Sequence, residues 1–481
     1  MKKLLACLIG LLAISGSVAG QDADSAITIG NKIQLESAVL EETRELWIST
    51  PRFYEDGEES YPVLFLLDGD FHFQHTTATI DFLSRNGRIP EMITIAILNT
   101  DRNRDFTPSS QNSEDIEQVP TKGGANNFLR FISEELIPYV EKNYRTKPFK
   151  ILVGHSRGGL FAIHTLISQP EIFDAYIAIS PSLQWSDQRL IERAEAFFEA
   201  TPELQVDLYL TTGNEGQALT GGTRKLAGIL EENAPKGFRW DINLMVEETH
   251  GSVPHPSTYQ GLQSIYRGWN LHDLLPVFDI GGVAAIKRYY KDGGNRFGYE
   301  RSVPASAIEQ LIEQLINSRR LDAAAAVLLR ESDTPPSSYW LDRMANVYAE
   351  EGKQDSARDL YTRSLTNNPG NFNAKEKLIK MGVDVEKLVP KIKVAAELLQ
   401  NYTGKYEFED GLILNITLSD SILFSQEAGG QVKFELLPVT EKRFAAVGLD
   451  AQLEFNDGQE KEARSATLFQ HGQEWRSRRI D

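Results

Sequence analysis

Six short, almost wholly apolar runs recur along the first half of this chain: Pro62–Leu67, Met92–Leu98, Lys150–Val153, Ala175–Ile179, Val206–Leu210 and Ile242–Val246. Runs this short and this rich in β-branched residues suit strands covered on both faces, as in a parallel sheet. Helical patterns lie between them, notably Asn127–Asn143, Leu160–Ser168 and Arg189–Glu199. The alternation predicts an α/β sheet with helices on both faces. Ile27–Leu35 and Arg44–Ser49 are expected as antiparallel edge strands at its start. A length of 481 residues leaves room for about three domains.

The pattern changes after about residue 285. Ala305–Ser318 and Leu321–Leu329 read as one helix pair, Tyr339–Glu351 and Gln354–Thr366 as another. The second pair fits the tetratricopeptide pattern at Leu341, Met344, Ala345, Tyr348, Ala357, Tyr361 and Pro369. One good match beside one degenerate pair falls short of the roughly three repeats a working array needs. A helical connector docked on its neighbours is the favoured alternative. From Leu398 onward apolar residues alternate with a period of two. Seven short strands are expected: 404–408, 412–418, 422–426, 432–438, 443–447, 453–456 and 466–471, with turns at Asp410-Gly411, Gly429-Gly430 and Asp457-Gly458. These predict a small β barrel or sandwich. The expected division is 1–20, 21–285, 286–395 and 396–481.

Residues 1–20 stand apart. Lys2-Lys3 precede an apolar stretch, Leu4–Ile14, and a small-residue segment ending at Gly20, the pattern of a secretory signal peptide. The apolar stretch continues past Cys7, which argues against a lipoprotein cleavage box. Cys7 is the chain's one cysteine, so the exported chain, periplasmic or secreted, holds no disulfide. No other window is apolar enough for a membrane span. A formal charge of −18 makes nucleic acid a poor partner. A protein contact, if there is one, is expected through the helical segment.

The most informative segment is Lys150-Ile-Leu-Val-Gly-His-Ser-Arg-Gly-Gly-Leu160. An apolar strand runs into Gly-x-Ser-x-Gly and a small-residue helix runs out. This is the elbow that lifts a serine above a sheet edge, with Gly154 and Gly158 expected where a Cβ would collide. Ser156 needs a base. In this topology the acid and then the histidine follow the serine. His164 comes too early, while His272 and His471 come too late. His250, just after the last sheet strand, is the expected base and His255 its reserve. Glu215 is the first carboxylate after the strand Val206–Leu210 and is the expected acid, with Asp207 or Glu248 as substitutes. The backbone N–H groups of Asp70 and Arg157 are the expected oxyanion donors. Phe71, Phe73 and Trp185 are placed to line a pocket or to be core. Arg102 and Arg104 either bind an anionic substrate group or clamp a loop through Asp101 or Asp105. His72 and His75 show no surrounding ligand cluster, so no metal and no cofactor are expected.

Four segments, Leu66–Gly69, Arg102–Pro108, Gly154–Gly159 and Glu248–Val253, together resemble the "Putative esterase" family, which holds S-formylglutathione hydrolase, the mycolyltransferases and the siderophore esterases. The resemblance covers about residues 27–270. It implies an α/β-hydrolase fold and hydrolysis of a small-molecule carboxylic ester. It places Ser156 as nucleophile, His250 as base, and Asp70 and Arg157 as oxyanion donors, with Glu215 at the acid position. Acyl transfer on the same residues is the alternative within enzymes, and a binding or scaffold protein the alternative outside them. The last eighty or so residues also resemble the small β domain of some exported hydrolases.

Overall fold

A computed structural model describes residues 28–330, 337–389, 392–408, 411–457, 463–470 and 473–480. The expected signal peptide lies outside them. Eight strands form the first sheet: β1 (Asn31–Ser37), β2 (Glu42–Ser49), β3 (Tyr61–Leu66), β4 (Ile93–Ile97), β5 (Thr146–His155), β6 (Ala175–Ile179), β7 (Asp207–Gly213) and β8 (Arg239–Met245). Their order is β1-β2-β4-β3-β5-β6-β7-β8. β1 and β2 are antiparallel to their neighbours, and the pairs from β4 to β8 are parallel. β2, expected at an edge, lies inside; the edges are β1 and β8.

The continuous apolar runs have a simple cause. Along β3 and its exit, Val63, Phe65 and Leu67 enter the core on one face, while Leu64 and Leu66 enter the core on the other. Helices cover both faces: α1 (Gly69–Arg85), α2 (Arg102–Phe106), α3 (Ser113–Gln118), α4 (Ala125–Phe131), α5 (Ile137–Asn143), α6 (Arg157–Ser168), α7 (Arg189–Ala200), α8 (Gln217–Asn233) and α9 (Pro254–Ile265). α4 and α5 are joined through a π-helical turn, Ile132–Leu136, so the helix expected over Asn127–Asn143 is nearly unbroken.

The boundary expected at residue 285 falls inside α10 (Leu275–Arg296). Phe297 packs against Phe149, Tyr266 and Trp269 of the sheet's second core. Arg301 lies over Trp269, and Arg296 reaches Asp207. The glycine tract around Gly294 resembles a loose linker in sequence but is a close-packed helix end: a Cβ on Gly294 would lie 2.5 Å from the Tyr299 carbonyl oxygen. Phe297 and Arg301 thus pack with the α/β unit, while Ile286 and Tyr290 of α10, which breaks at Gly281-Gly282, face the core of the helices that follow.

Next come α11 (Ala305–Asn317), α12 (Leu321–Arg330), α13 (Ser338–Glu350), α14 (Gln354–Asn367) and α15 (Phe372–Lys380), around a core they share with Ile286 and Tyr290 of α10. This segment is docked at both ends. Gln310 and Gln314 donate to the His272 carbonyl, Gln452 donates to the Asn367 carbonyl at 2.8 Å, and Gly448 N–H to Gly370 O at 3.1 Å.

After the short α16 (Ala396–Asn401), the last strands close into an antiparallel barrel, which replaces the sandwich alternative. They are β9 (Gly404–Phe408), β10 (Ile413–Ser419), β11 (Ile422–Glu427), β12 (Lys433–Pro438), β13 (Arg443–Ala446), β14 (Ala451–Asp457), β15 (Ala463–Gln470) and β16 (Gln473–Arg479). The barrel has eight strands where seven were expected. β16 is masked in sequence by Glu474, Arg476, Arg478 and Arg479. It closes the barrel between β15 and β9, with Trp475 against the core and Ser477 buried.

Candidate active site

Ser156 stands between β5 and α6, at the middle of the sheet, with φ 59° and ψ −113°. That conformation is rare for a side-chain-bearing residue, and its neighbours hold it. The Ser156 N–H donates to Ile179 O at 2.9 Å, and its own carbonyl accepts from Leu160 N–H and Ser182 N–H. A Cβ on Gly154 would lie 2.2 Å from Gly158 O, so the strand and helix touch there. Gly158, expected to be equally constrained, has its nearest neighbour at 3.3 Å, Asp68 Oδ2. Gly159 is tighter, 2.9 Å from Ile179 O and 3.0 Å from Pro181 Cα. Ser156 Oγ is 3.2 Å from Ser182 Oγ.

Glu215 lies just beyond β7, its side chain 1% exposed. Oε1 accepts from Ser180 Oγ at 2.6 Å and Gly213 N–H at 3.1 Å, and Oε2 from Thr212 Oγ1 at 3.3 Å. Oε2 is also 3.3 Å from His250 Nδ1. That separation suits a charge pair, but Nδ1 is buried without an aligned hydrogen bond. The acid loop and the histidine loop touch: Asn214 N–H donates to Glu248 O at 2.6 Å, and a Cβ on Gly213 would lie 2.6 Å from that same oxygen. Asp207 is at the far end of β7, bound to Arg239 and Arg296. His164 is buried on α6 beside Asn126 and Arg193.

The spacing along the chain hid a row of imidazoles. The His250 ring is 4.5 Å from that of His155, the residue before Ser156. His155 is 5.5 Å from His72, His72 Nδ1 is 3.1 Å from His75 Nε2, and His75 is 5.3 Å from the exposed His255. So His72 and His75 do have histidine company, although no group of three or more ligands fit for a metal occurs among the described residues. Burial pushes His155 down to about 3 and His75 down to about 4, with neighbouring positive charge adding to the effect, and lowers His72 against the opposing Asp68 carboxylate. Of the two candidate bases, His250 is the one against Glu215.

Asp70 and Arg157 each stand in the first turn of a helix, α1 and α6, where N–H groups have no intrahelical partner. Asp68 caps α1 at φ 53° and accepts both arms of Arg102, at 2.5 and 2.9 Å, plus Asn99 Nδ2 at 2.7 Å. Arg102 also donates to His155 O at 3.1 Å, tying the turn before Asp70 to the strand before Ser156. Arg104 is engaged by Glu42 (2.7 and 3.0 Å) and Asp105 (2.7 Å). Both arginines clamp loops, through Asp68 and Glu42 as well as the expected Asp105.

A cavity of about 520 Å³ opens over Ser156 and Arg157, walled by Asn112, Gln118, Ser182, Gln184, Trp185 and Leu219 among others. Trp185 lines it, as expected. Phe71 is 73% exposed and outside its lining, and Phe73 is core, edge-on to Trp47. A larger groove, about 860 Å³, runs along the open edge of β8 past Tyr209, Asn243 and Trp269, and holds none of these groups.

The sequence profile of the family described as "Putative esterase" matches residues 37–236. Ferri-bacillibactin esterase BesA of Bacillus subtilis is 30% identical over 253 residues, 48% of this chain and 87% of that protein. A siderophore enterobactin esterase of Emericella nidulans is 32% identical over 159 residues, 29% of this chain and 52% of that one. Among solved structures, an IroE-like serine hydrolase of Shewanella oneidensis superposes with a TM-score of 0.52 at 30% identity, covering 62% of this chain and 97% of its own. With its sheet order and its serine elbow, the chain is a member of this esterase family and a carboxylic-ester hydrolase.

Proposed function

We propose that this chain is an exported serine esterase working through an acyl-enzyme on Ser156. Ser156 Oγ attacks the ester carbonyl while His250 takes its proton. The tetrahedral oxyanion rests on the N–H groups of Asp70 and Arg157. His250 then gives the proton to the leaving alcohol, and water, deprotonated by the same histidine, releases the acid. Glu215 holds the imidazole tautomer. The observation that carries this reading is the strained Ser156 elbow, whose preceding residue His155 lies ring to ring with His250 at 4.5 Å, while His250 Nδ1 faces a buried, thrice hydrogen-bonded carboxylate. The names of the relatives favour small, siderophore-type esters as substrates. A fluorophosphonate probe is expected to label the wild type and not Ser156→Ala. A folded wild type that neither reacts nor turns over any of a panel of short-acyl, long-acyl, aromatic and siderophore-type esters would overturn the assignment.

A further inference from the structure

Three consecutive residues without glycine's freedom, Ser186, Asp187 and Gln188, stand in the left-handed region at φ 52°, 54° and 66°. Single left-handed residues of this kind are uncommon, and a run of three persists only where its surroundings force it. Lys225 of α8 donates to Gln188 Oε1, and the other side-chain restraints come from one segment, 108–118, which contains α3. Asp115 Oδ2 accepts the Ser186 N–H at 2.9 Å, Asn112 Nδ2 donates to Asp187 Oδ1 at 2.7 Å, and Trp185 Nε1 donates to Pro108 O at 3.0 Å. Asp115 is itself fixed by Ser110 Oγ and by the Asn112-capped first turn of α3. The two bonded segments together line one part of the cavity over Ser156: Asn112, Asp115 and Gln118 from one, Gln184, Trp185 and Asp187 from the other. A strained wall held by a few side-chain bonds has one shape while they last and another when they are removed.

We propose that Asp115 is a specificity-determining positioning residue: by holding the Ser186 N–H it keeps the left-handed run closed and limits the cavity to short, polar ester groups, excluding long alkyl chains. The polar character of the walls fits a hydroxyl- or amide-bearing group, and the bond to Ser186 limits the length. The proposal rests on the reading of Ser156 as nucleophile, and its test separates the two.

The experiment measures kcat/KM for 4-nitrophenyl esters from acetate to decanoate with full-length wild type, Asp115→Ala, Asp115→Asn, Ser186→Gly and the double variant Asp115→Ala/Ser186→Gly, each shown folded by thermal melting. In Asp115→Ala the decanoate-to-acetate ratio is expected to rise at least tenfold. Asp115→Asn keeps an oxygen for the Ser186 N–H and should restore the wild-type ratio. Ser186→Gly should leave the ratio alone, because glycine adopts the left-handed conformation freely. For the same reason the double variant should show a smaller rise than Asp115→Ala. An unchanged chain-length profile in folded Asp115→Ala, or an equal loss on every ester, overturns the proposal. If Asp115→Ala does not fold, Ser110→Ala, which loosens Asp115, is expected to move the ratio in the same direction; a flat result there overturns it as well. Failure of the nucleophile reading looks different: the wild type then turns over none of the esters.

Discussion

Left-handed backbone at residues other than glycine occurs in both halves of the molecule, and it does different work in each. In the barrel, Asp420 and Ser421 (φ 50° and 63°) form a two-residue turn that pairs Ser419 with Ile422. That turn matches the twist of the strands it joins. In the α/β half, Asp68, Ser156 and Ser180 follow the ends of β3, β5 and β6, which are neighbours, and Ser186 to Gln188 lie over the same edge. Each such residue costs about 1–3 kcal/mol. The barrel uses the conformation to fold. The α/β half also uses it to fold, at Glu41 between β1 and β2 and at Phe53, but gathers six such residues where the proposed nucleophile, a helix N-terminus and a cavity wall meet, and the surrounding hydrogen bonds must offset the cost.

The largest expected effect breaks the two apart with one substitution type. Ser156→Gly should relieve strain and raise Tm by a few degrees, while kcat falls at least ~10⁴-fold because no nucleophile remains. Thermal melts and ester hydrolysis check both arms. Next, Glu215→Gln should lower kcat about 10²–10⁴-fold with KM little changed, since the amide keeps the volume but loses the charge facing Nδ1. Glu248→Gln, whose carbonyl and not its side chain holds the acid loop, should stay within about twofold; an equal loss in both variants would move the acid role.

The unit boundary comes third. A chain of residues 21–302 should fold and cleave a small activated ester, whereas 21–285, which lacks Phe297 and Arg301, should be several kcal/mol less stable. Denaturant titration of both pieces decides it, and equal stability would return the boundary to 285.

The fourth prediction turns on opposite pH slopes. In the α/β half, His155 and His75 are held neutral at about 3 and about 4, while unfolded histidine binds a proton below about 6.5. Stability from these groups is present above pH 6.5 and lost as pH falls toward 4. In the helical segment, burial and then Glu474 push Glu309 up to about 8. Folded Glu309 keeps a proton that the unfolded chain releases above about 4.5, so its contribution is present below that pH and lost as pH rises toward 8. Tm measured against pH is expected to show the acid-side loss flattened by His75→Phe and the alkaline-side loss flattened by Glu309→Gln. Unaltered curves would refute the corresponding assignment. The smallest effect is Ser421→Gly, worth up to about 1 kcal/mol in a turn that already needs positive φ, with activity untouched; a loss of stability there would mean the barrel turn carries no strain.

Sequence reading reached the central strands because they are apolar on both faces and too short for helices. It reached Ser156 because a strand, two glycines and a small-residue helix must be consecutive to build the elbow. It missed what depends on residues far apart. The Asp68–Arg102 clamp joins two loops, and the histidine row draws on α1, β5, α9 and the loop after β8. Neither leaves any spacing to read. It misread Gly294 because a glycine at a tight packing point and one in a linker look alike as letters. β16 was hidden because its outward residues are charged and only Trp475 and Ser477 mark the inward face.

The contact between Gly213 and Glu248 joins the loops that carry the proposed acid and the proposed base. A Cβ at 213 would overlap the Glu248 carbonyl, and His250 is two residues further on. The relative placement of acid and base is thus written into main-chain packing, with the side chains inheriting it. Exposed members of the same loops, Asn214 and Glu247, are free to drift through many substitutions without disturbing that registration, whereas the Thr249 hydroxyl accepts from Ser252 N–H and helps to hold the histidine loop. At Gly213 a single methyl group acts as a wedge that moves both loops at once, so a position that makes no chemical contact with substrate constrains this site as tightly as the nucleophile does.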